Sequence, residues 1–195
     1  MEWSLGGSGV RPLTMSYLCA DARAIASIAR AAGEAATADA FAERAGALRR
    51  LIHDRLWDAR AGFFKTRAVD GCKGNYGNDP PYPHDSLVDV RELAGYAPWC
   101  FGLAGPEHAA AWREVEDPDG FDAPFGPTTA ERRHARFSVP AGGCAWGGPS
   151  WPFATSQLLT GLANLLNGPE QSVIGREAYL RLLSRYARCH RRPRP

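Results

Sequence analysis

The sequence predicts an all-α chain of about three helical hairpins, and three observations carry that expectation. Apolar residues recur at i, i+3/i+4 and i+7 in six separate stretches. Gly, Pro and Asn punctuate the ends of those stretches, where helices stop or start. The first and fifth stretches are rich in small and apolar residues, whereas the second, fourth and sixth are amphipathic. That alternation suits an inner layer of buried helices and an outer layer with one wet face.

Taken in order, Leu18, Ala22, Ile25, Ala29 and Ala32 form the first apolar stripe, entered through Pro12 and Thr14 and stopped by Gly33. A second helix is expected from near Thr37, with Phe41, Ala45, Leu48, Ile52 and Leu56 on its apolar face. The stretch Leu56 to Phe64 turns at Asp58–Gly62 and then alternates, which predicts a short β-excursion. Residues 70–85, rich in Gly, Pro, Asn and Asp, predict an irregular surface loop. A third helix is expected from about Ser86 through Phe101, kinked or interrupted at Pro98, and a fourth from Pro106 through Val115. Residues 120–148 lose all periodicity in a Pro/Gly-heavy loop, long enough to suggest function or disorder. Pro152 opens the apolar fifth helix, ended at Asn167-Gly168-Pro169, and a sixth carries Tyr179, Leu182, Leu183, Tyr186 and Cys189. Three hairpins in an arc would leave inner faces uncovered, which implies further repeats or a partner. A compact six-helix bundle fits the periodicity equally well.

Composition narrows the class. A net charge of +2 favours neither nucleic acid nor a membrane surface as partner. Much of the positive charge sits in Arg185, Arg188, Arg191, Arg192 and Arg194, so residues 189–195 are expected to be a disordered Arg/Pro tail after a domain of residues 1–188. Five scattered cysteines, Cys19, Cys72, Cys100, Cys144 and Cys189, show no C-x-x-C spacing. They suit a reducing cytoplasm and point to neither a disulfide framework nor a metal site. No secretory leader pattern and no membrane-length apolar run is present, and nothing implies a cofactor.

The densest chemical signal is Cys144-Ala145-Trp146-Gly147-Gly148-Pro149-Ser150-Trp151-Pro152. Two tryptophans flank a Gly-Gly-Pro turn at the mouth of a helix. An indole face can stack on the C–H face of a sugar ring and its N–H can donate to a hydroxyl, while glycines let backbone approach a ligand. The plainer reading is a turn pinned by two packing tryptophans.

Trp146-Gly147-Gly148-Pro149-Ser150-Trp151-Pro152 resembles the tryptophan signature of glycoside hydrolase family 63 and of the related mannosylglycerate hydrolase-like and trehalase-like enzymes. Leu56-Trp57-Asp58 through Gly62-Phe63-Phe64 and Phe125-Gly126-Pro127-Thr128-Thr129 resemble further segments of that group, in the same order. The resemblance implies an (α/α)6 toroid, here a partial barrel, and an inverting, α-glycoside-directed hydrolase acting on an oligosaccharide or small glycoside. In such enzymes one carboxylic acid protonates the leaving oxygen and a second carboxylate activates water, about 6.5–9.5 Å away. Met1-Glu2-Trp3-Ser4 is similar to the group's acid-bearing loop, with Glu2 where Asp is more usual. The resemblance thus implies Glu2 as general acid, its pKa raised by an apolar surround including Trp3. No Glu matches the group's base segment, so the chain alone is expected to be inactive and to need the remainder of a barrel.

Trp3, Arg11, Thr128, Trp146, Gly148, Pro149, Trp151 and Gln157 are the expected substrate-binding residues. Structural alternatives stand beside several of them: an ion pair for Arg11 and a satisfied buried carbonyl for Gln157. Thr129 and Arg132-Arg133 can line a subsite, whereas His134 reads as a solvated histidine. Asp21, Asp58, Asp85 and Glu92 read as caps and surface ion pairs. Two other readings remain: a glycogen-debranching-type amylo-α-1,6-glucosidase domain, and a non-catalytic helical scaffold in which the tryptophans only pack.

Overall fold

Pro12 begins α1 (Pro12–Ala31), since its missing N–H falls where a helix offers no acceptor. Gly33, at φ +79°, ends it in a Schellman turn: the Gly33 N–H donates to Arg30 O and the Glu34 N–H to Ala29 O. The computed structural model describes residues 4–73, 80–140 and 144–191. α2 (Ala35–Leu51) folds back on α1 and buries Ala38 and Ala45. The buried stripe of α1 is Cys19, Ala22, Ala26 and Ala29, so Leu18 and Ile25 of the expected stripe point outward. Small side chains face α2 because they let the two helices approach closely; the Cys19 thiol donates to Ala45 O at 3.4 Å. Leu18, Ile25 and Ile28 are therefore exposed.

A π-helical turn, Ile52–Leu56, leads into the expected β-excursion: β1 (Trp57–Asp58) pairs antiparallel with β2 (Phe63–Phe64). Asp58 closes the turn, its Oδ1 accepting the N–H groups of Arg60 and Ala61 while its Oδ2 pairs with Lys65 Nζ at 3.1 Å. The third and fourth expected helices are corrected in kind. Residues 86–92 run irregularly, with a 3₁₀ turn only at Leu93–Tyr96 and one α turn, α3 (Ala97–Cys100). Lateral pairing of Arg67 with Leu87 and of Glu92 with Ala130 takes up backbone there, and Pro98 has no N–H to continue an α-helical ladder. Pro106–Val115 is a ten-residue 3₁₀ helix. Its buried residues fall at steps of three, Ala109, Trp112, Val115 and His108, Ala111, which matches three residues per turn.

α4 (Pro152–Leu166) starts at a proline and buries Ala154, Leu158, Leu159, Leu162 and Leu165. Gly161 brings it against α3, where a Cβ would sit 3.3 Å from Trp99 Cβ. α5 (Arg176–Cys189) covers α4 through Ala178 and Leu182. α1, the Leu93–Cys100 segment and α4 thus lie side by side, with α2 and α5 outside them. That is the inner and outer layering of an all-α, (α/α)6-toroid-type chain. No helix among the described residues is long and apolar enough to cross a membrane.

The core is a cluster of rings where these layers meet. Tyr96 lies 4.5 Å from Trp112 and 5.0 Å from Phe63, and Phe64 lies 5.5 Å from Trp99. Gly95 is obligatory here, since a Cβ would come within 2.3 Å of the Phe63 ring and 2.4 Å of Phe64 O. Trp112 is fully buried, so Trp112→Ala is expected to cost about 3–5 kcal/mol in denaturant unfolding. His108, packed 4.5 Å from Trp57, has its pKa pushed below the ordinary value of 6.5 by burial, with the Glu107 carboxylate opposing and His53 adding to the shift. The unfolded chain takes up the proton first as pH falls. Stability is therefore complete above about pH 6.5 and declines below it, and His108→Gln should flatten that part of a stability-versus-pH curve.

Candidate active site

The segment leading into α1 is held by a buried ion pair. Arg11 Nη2 lies 2.8 Å from Glu92 Oε2, the two side chains only 10% and 6% exposed. Around that pair the Ser4 hydroxyl and the Gly6 N–H both donate to Glu92 Oε1, and Arg11 Nη1 donates to Ser4 Oγ and Gly7 O. Gly6 and Gly7 leave room for it. A Cβ on Gly6 would lie 2.3 Å from Glu92 Oε2, and Gly7 has φ +67°. Beside it, Gly7, Gly9, Arg11, Thr14, Met15 and Val69 line an open depression of about 500 Å³. Glu2 and Trp3 lie outside the described residues, so the structure positions only the residues that follow them.

Glu92 also ties this clamp to the long loop. Its backbone bridges Ala130, and the Leu93 N–H donates to Thr129 O at 2.9 Å. The Thr129 hydroxyl accepts the Gly148 N–H at 3.1 Å, and Thr128 bridges Ser150. Gly148 is required by crowding, since a Cβ would approach Ser138 O to 2.0 Å. The scaffold therefore runs without a break from Ser4 through Glu92 and Thr129 to the tryptophan turn. Next to it a second buried pair, Arg91 with Glu131 at 2.8 Å, holds the loop, and Arg91 also donates to Ala61 O.

Trp146 and Trp151 lie face to face, 5.6 Å apart and 5° from parallel, both half-buried. Trp151 Nε1–H donates to Ala145 O at 2.7 Å, so that indole N–H is already spoken for. Trp146 borders a narrow crevice with Leu13, Leu93, Ala94 and Gln157. Pro149 is half-buried in the same turn. The structure thus brings Trp146, Gly148, Pro149 and Trp151 together and joins them to Arg11 through Glu92. Thr128 is 4% exposed and donates to Ala130 O, so its hydroxyl serves the loop. Gln157 Nε2 donates to the Tyr17 hydroxyl at 2.7 Å, linking α4 to α1.

Several polar residues differ from their expected roles. Glu92 is no surface residue; the segment is extended, and Glu92 falls in step with the buried Val88 and Val90 while Asp89 points outward. His134 is largely covered, with Nε2 3.3 Å from Asp89 and Nδ1 accepting the Arg136 N–H, because the loop folds over it. Arg133 pairs with Glu114 and Asp117, and Arg132 donates to Pro118 O and Asp122 O, so both brace the loop.

Arg11→Met would leave the Glu92 carboxylate buried and uncompensated. A loss of about 3–5 kcal/mol is expected in denaturant unfolding, with proteolytic cleavage appearing first between residues 4 and 11.

Three comparisons bear on this arrangement. A family model for the mannosylglycerate hydrolase MGH1-like glycoside hydrolase domain matches residues 2–194. No curated protein matches the chain. A solved structure titled sialidase is 35% identical, with a TM-score of 0.85 over 96% of this chain. The chain spans 17% of the length of that structure. With the motifs, the layered helices and the family match in agreement, this chain belongs to the MGH1-like glycoside hydrolase family.

Proposed function

We propose that the chain forms the acid-bearing part of an inverting, α-glycoside-directed active site for an oligosaccharide or small glycoside. The observation that carries this reading is the continuous scaffold from Ser4 through Arg11–Glu92 to Gly148 and the tryptophan pair. A general acid must be held to a fraction of an ångström against the leaving oxygen, and Glu2 stands two residues before the clamped Ser4. In this reading Glu2 protonates the glycosidic oxygen as the bond to the anomeric carbon breaks. A water activated by a second carboxylate adds from the opposite face, inverting the configuration. That second carboxylate would come from further hairpins of the ring, in the same polypeptide or in a partner. The exposed Leu18, Ile25 and Ile28 on α1 supply an apolar face for them. Five free thiols support a reducing, cytoplasmic setting.

A scaffold reading gains from one observation: the indoles stack on each other and Trp151 spends its N–H on Ala145. Titration of α-glucosides and α-mannosides against tryptophan fluorescence separates the two. Saturable quenching that is lost in Trp146→Ala supports a saccharide surface; no response to any glycoside supports the scaffold. The 195-residue polypeptide should release no sugar from aryl α-glycosides. In a longer relative, replacing the residue equivalent to Glu2 by Gln should lower turnover at least about a hundredfold, as expected for general acid catalysis. Unchanged turnover there would remove the acid assignment.

A further inference from the structure

We propose that His53, Glu107 and His108 form a binding site for a divalent transition metal, with zinc the best-fitting ion. One ligand atom from each of the three lies within 4.8 Å of the others. His53 sits in the π-helical turn after α2, and Glu107 and His108 open the 3₁₀ helix, so chain folding brings together groups 54 residues apart. Sequence spacing gave no reason to expect it.

Each ring has a nitrogen to offer a metal ion. His53 Nε2 lies 2.7 Å from Leu103 O, and since a carbonyl can only accept, Nε2 carries the proton. With Nε2 engaged in this way, Nδ1 is the nitrogen left for a ligand, and the carbonyl fixes the ring's orientation as outer-sphere partners of metal-bound histidines do. His108 is 7% exposed and its Nδ1 is buried without a hydrogen bond. Glu107 Oε1 comes within 3.1 Å of that nitrogen, close enough for an ion pair but outside hydrogen-bond geometry. Two ligand atoms on one tetrahedral zinc, each at about 2.0–2.1 Å, are separated by about 3.3 Å. The Nδ1–Oε1 contact therefore has the spacing of neighbouring ligands. A buried ring nitrogen with no hydrogen bond is costly, and an ion held between it and the Glu107 carboxylate would satisfy both.

The donor set of two imidazoles and one carboxylate is borderline-hard and suits zinc or cobalt better than calcium or magnesium. Trp57, Phe64 and Trp99 pack around His108, giving the site a dry wall on one side. The exposed Glu107 carboxylate forms its open side and can swing to complete the geometry. Such an ion would clip the π turn to the 3₁₀ helix beside the ring cluster.

The test uses the metal-stripped chain at pH 7.5. Calorimetric titration with ZnCl₂ should show one equivalent bound with micromolar affinity, and CoCl₂ should give visible d–d absorption of a four- or five-coordinate ion. Glu107→Gln, a change at an exposed side chain, should weaken binding at least about tenfold. His53→Gln, which keeps a donor for Leu103 O, should abolish it. The melting temperature of the unaltered chain should rise on adding zinc and that of His53→Gln should not. No zinc uptake by the unaltered chain overturns the proposal. So does equal affinity in both variants, which would place the ion at exposed groups such as Cys144, Cys189 or His190.

Discussion

The Arg11–Glu92 ion pair is the constraint on which the candidate site depends. Both charges are out of water and are hydrogen-bonded locally, Glu92 from Ser4 and Gly6 and the Arg11 Nη1 group toward Ser4 and Gly7, while Arg11 Nε is buried without a partner. Such a pair adds little net stability compared with apolar residues of the same shape, yet breaking it is expensive. Its effect is therefore to make one path of the segment 4–11 far better than any other. Because Glu92 also bridges Ala130, the same pair fixes the long loop. A loop of Pro, Gly and charged residues has no periodic core of its own, so its order has to come from such ties.

The ring cluster supplies the complementary apolar constraint. Trp99, Trp112, Tyr96, Phe63 and Phe64 fill the space where the β-hairpin, the 3₁₀ segments and α4 converge. Their bulk is accommodated by glycines on the opposing elements, Gly95 against Phe63 and Gly161 against Trp99. The 3₁₀ helix Pro106–Val115 belongs to the same solution, since period three places Ala109, Trp112 and Val115 on one buried face. His108 lies in that helix and meets His53 at the edge of the cluster, with ring centroids 5.0 Å apart.

The tryptophan turn joins both constraints. Gly148 is tied to Thr129 and so to Glu92, while Pro152 starts α4 and thereby anchors the turn to the core. With one face of each indole against the other and the Trp151 N–H bound internally, any sugar would meet the outer faces of an already ordered pair. Preorganisation of this kind lowers the ordering cost of binding.

Local periodicity and punctuation were enough to read α1, α2, α4 and α5, the turn at Asp58, and the family to which the motifs belong. These features depend on neighbours a few residues apart, which the chain itself displays. Three features came only from the folded arrangement. The stripe of α1 turned to Cys19, Ala22, Ala26 and Ala29 because α2 rewards small residues at the seam. Residues 86–92 and Pro106–Val115 gave up α-helix because lateral bridges and the ring cluster outweigh intrinsic helix preference. Glu92 changed from a surface acid to a buried anchor, and His53 met His108, because such partners lie tens of residues away along the chain. Pairing at that range is decided by which surfaces pack together, and sequence spacing carries no record of it.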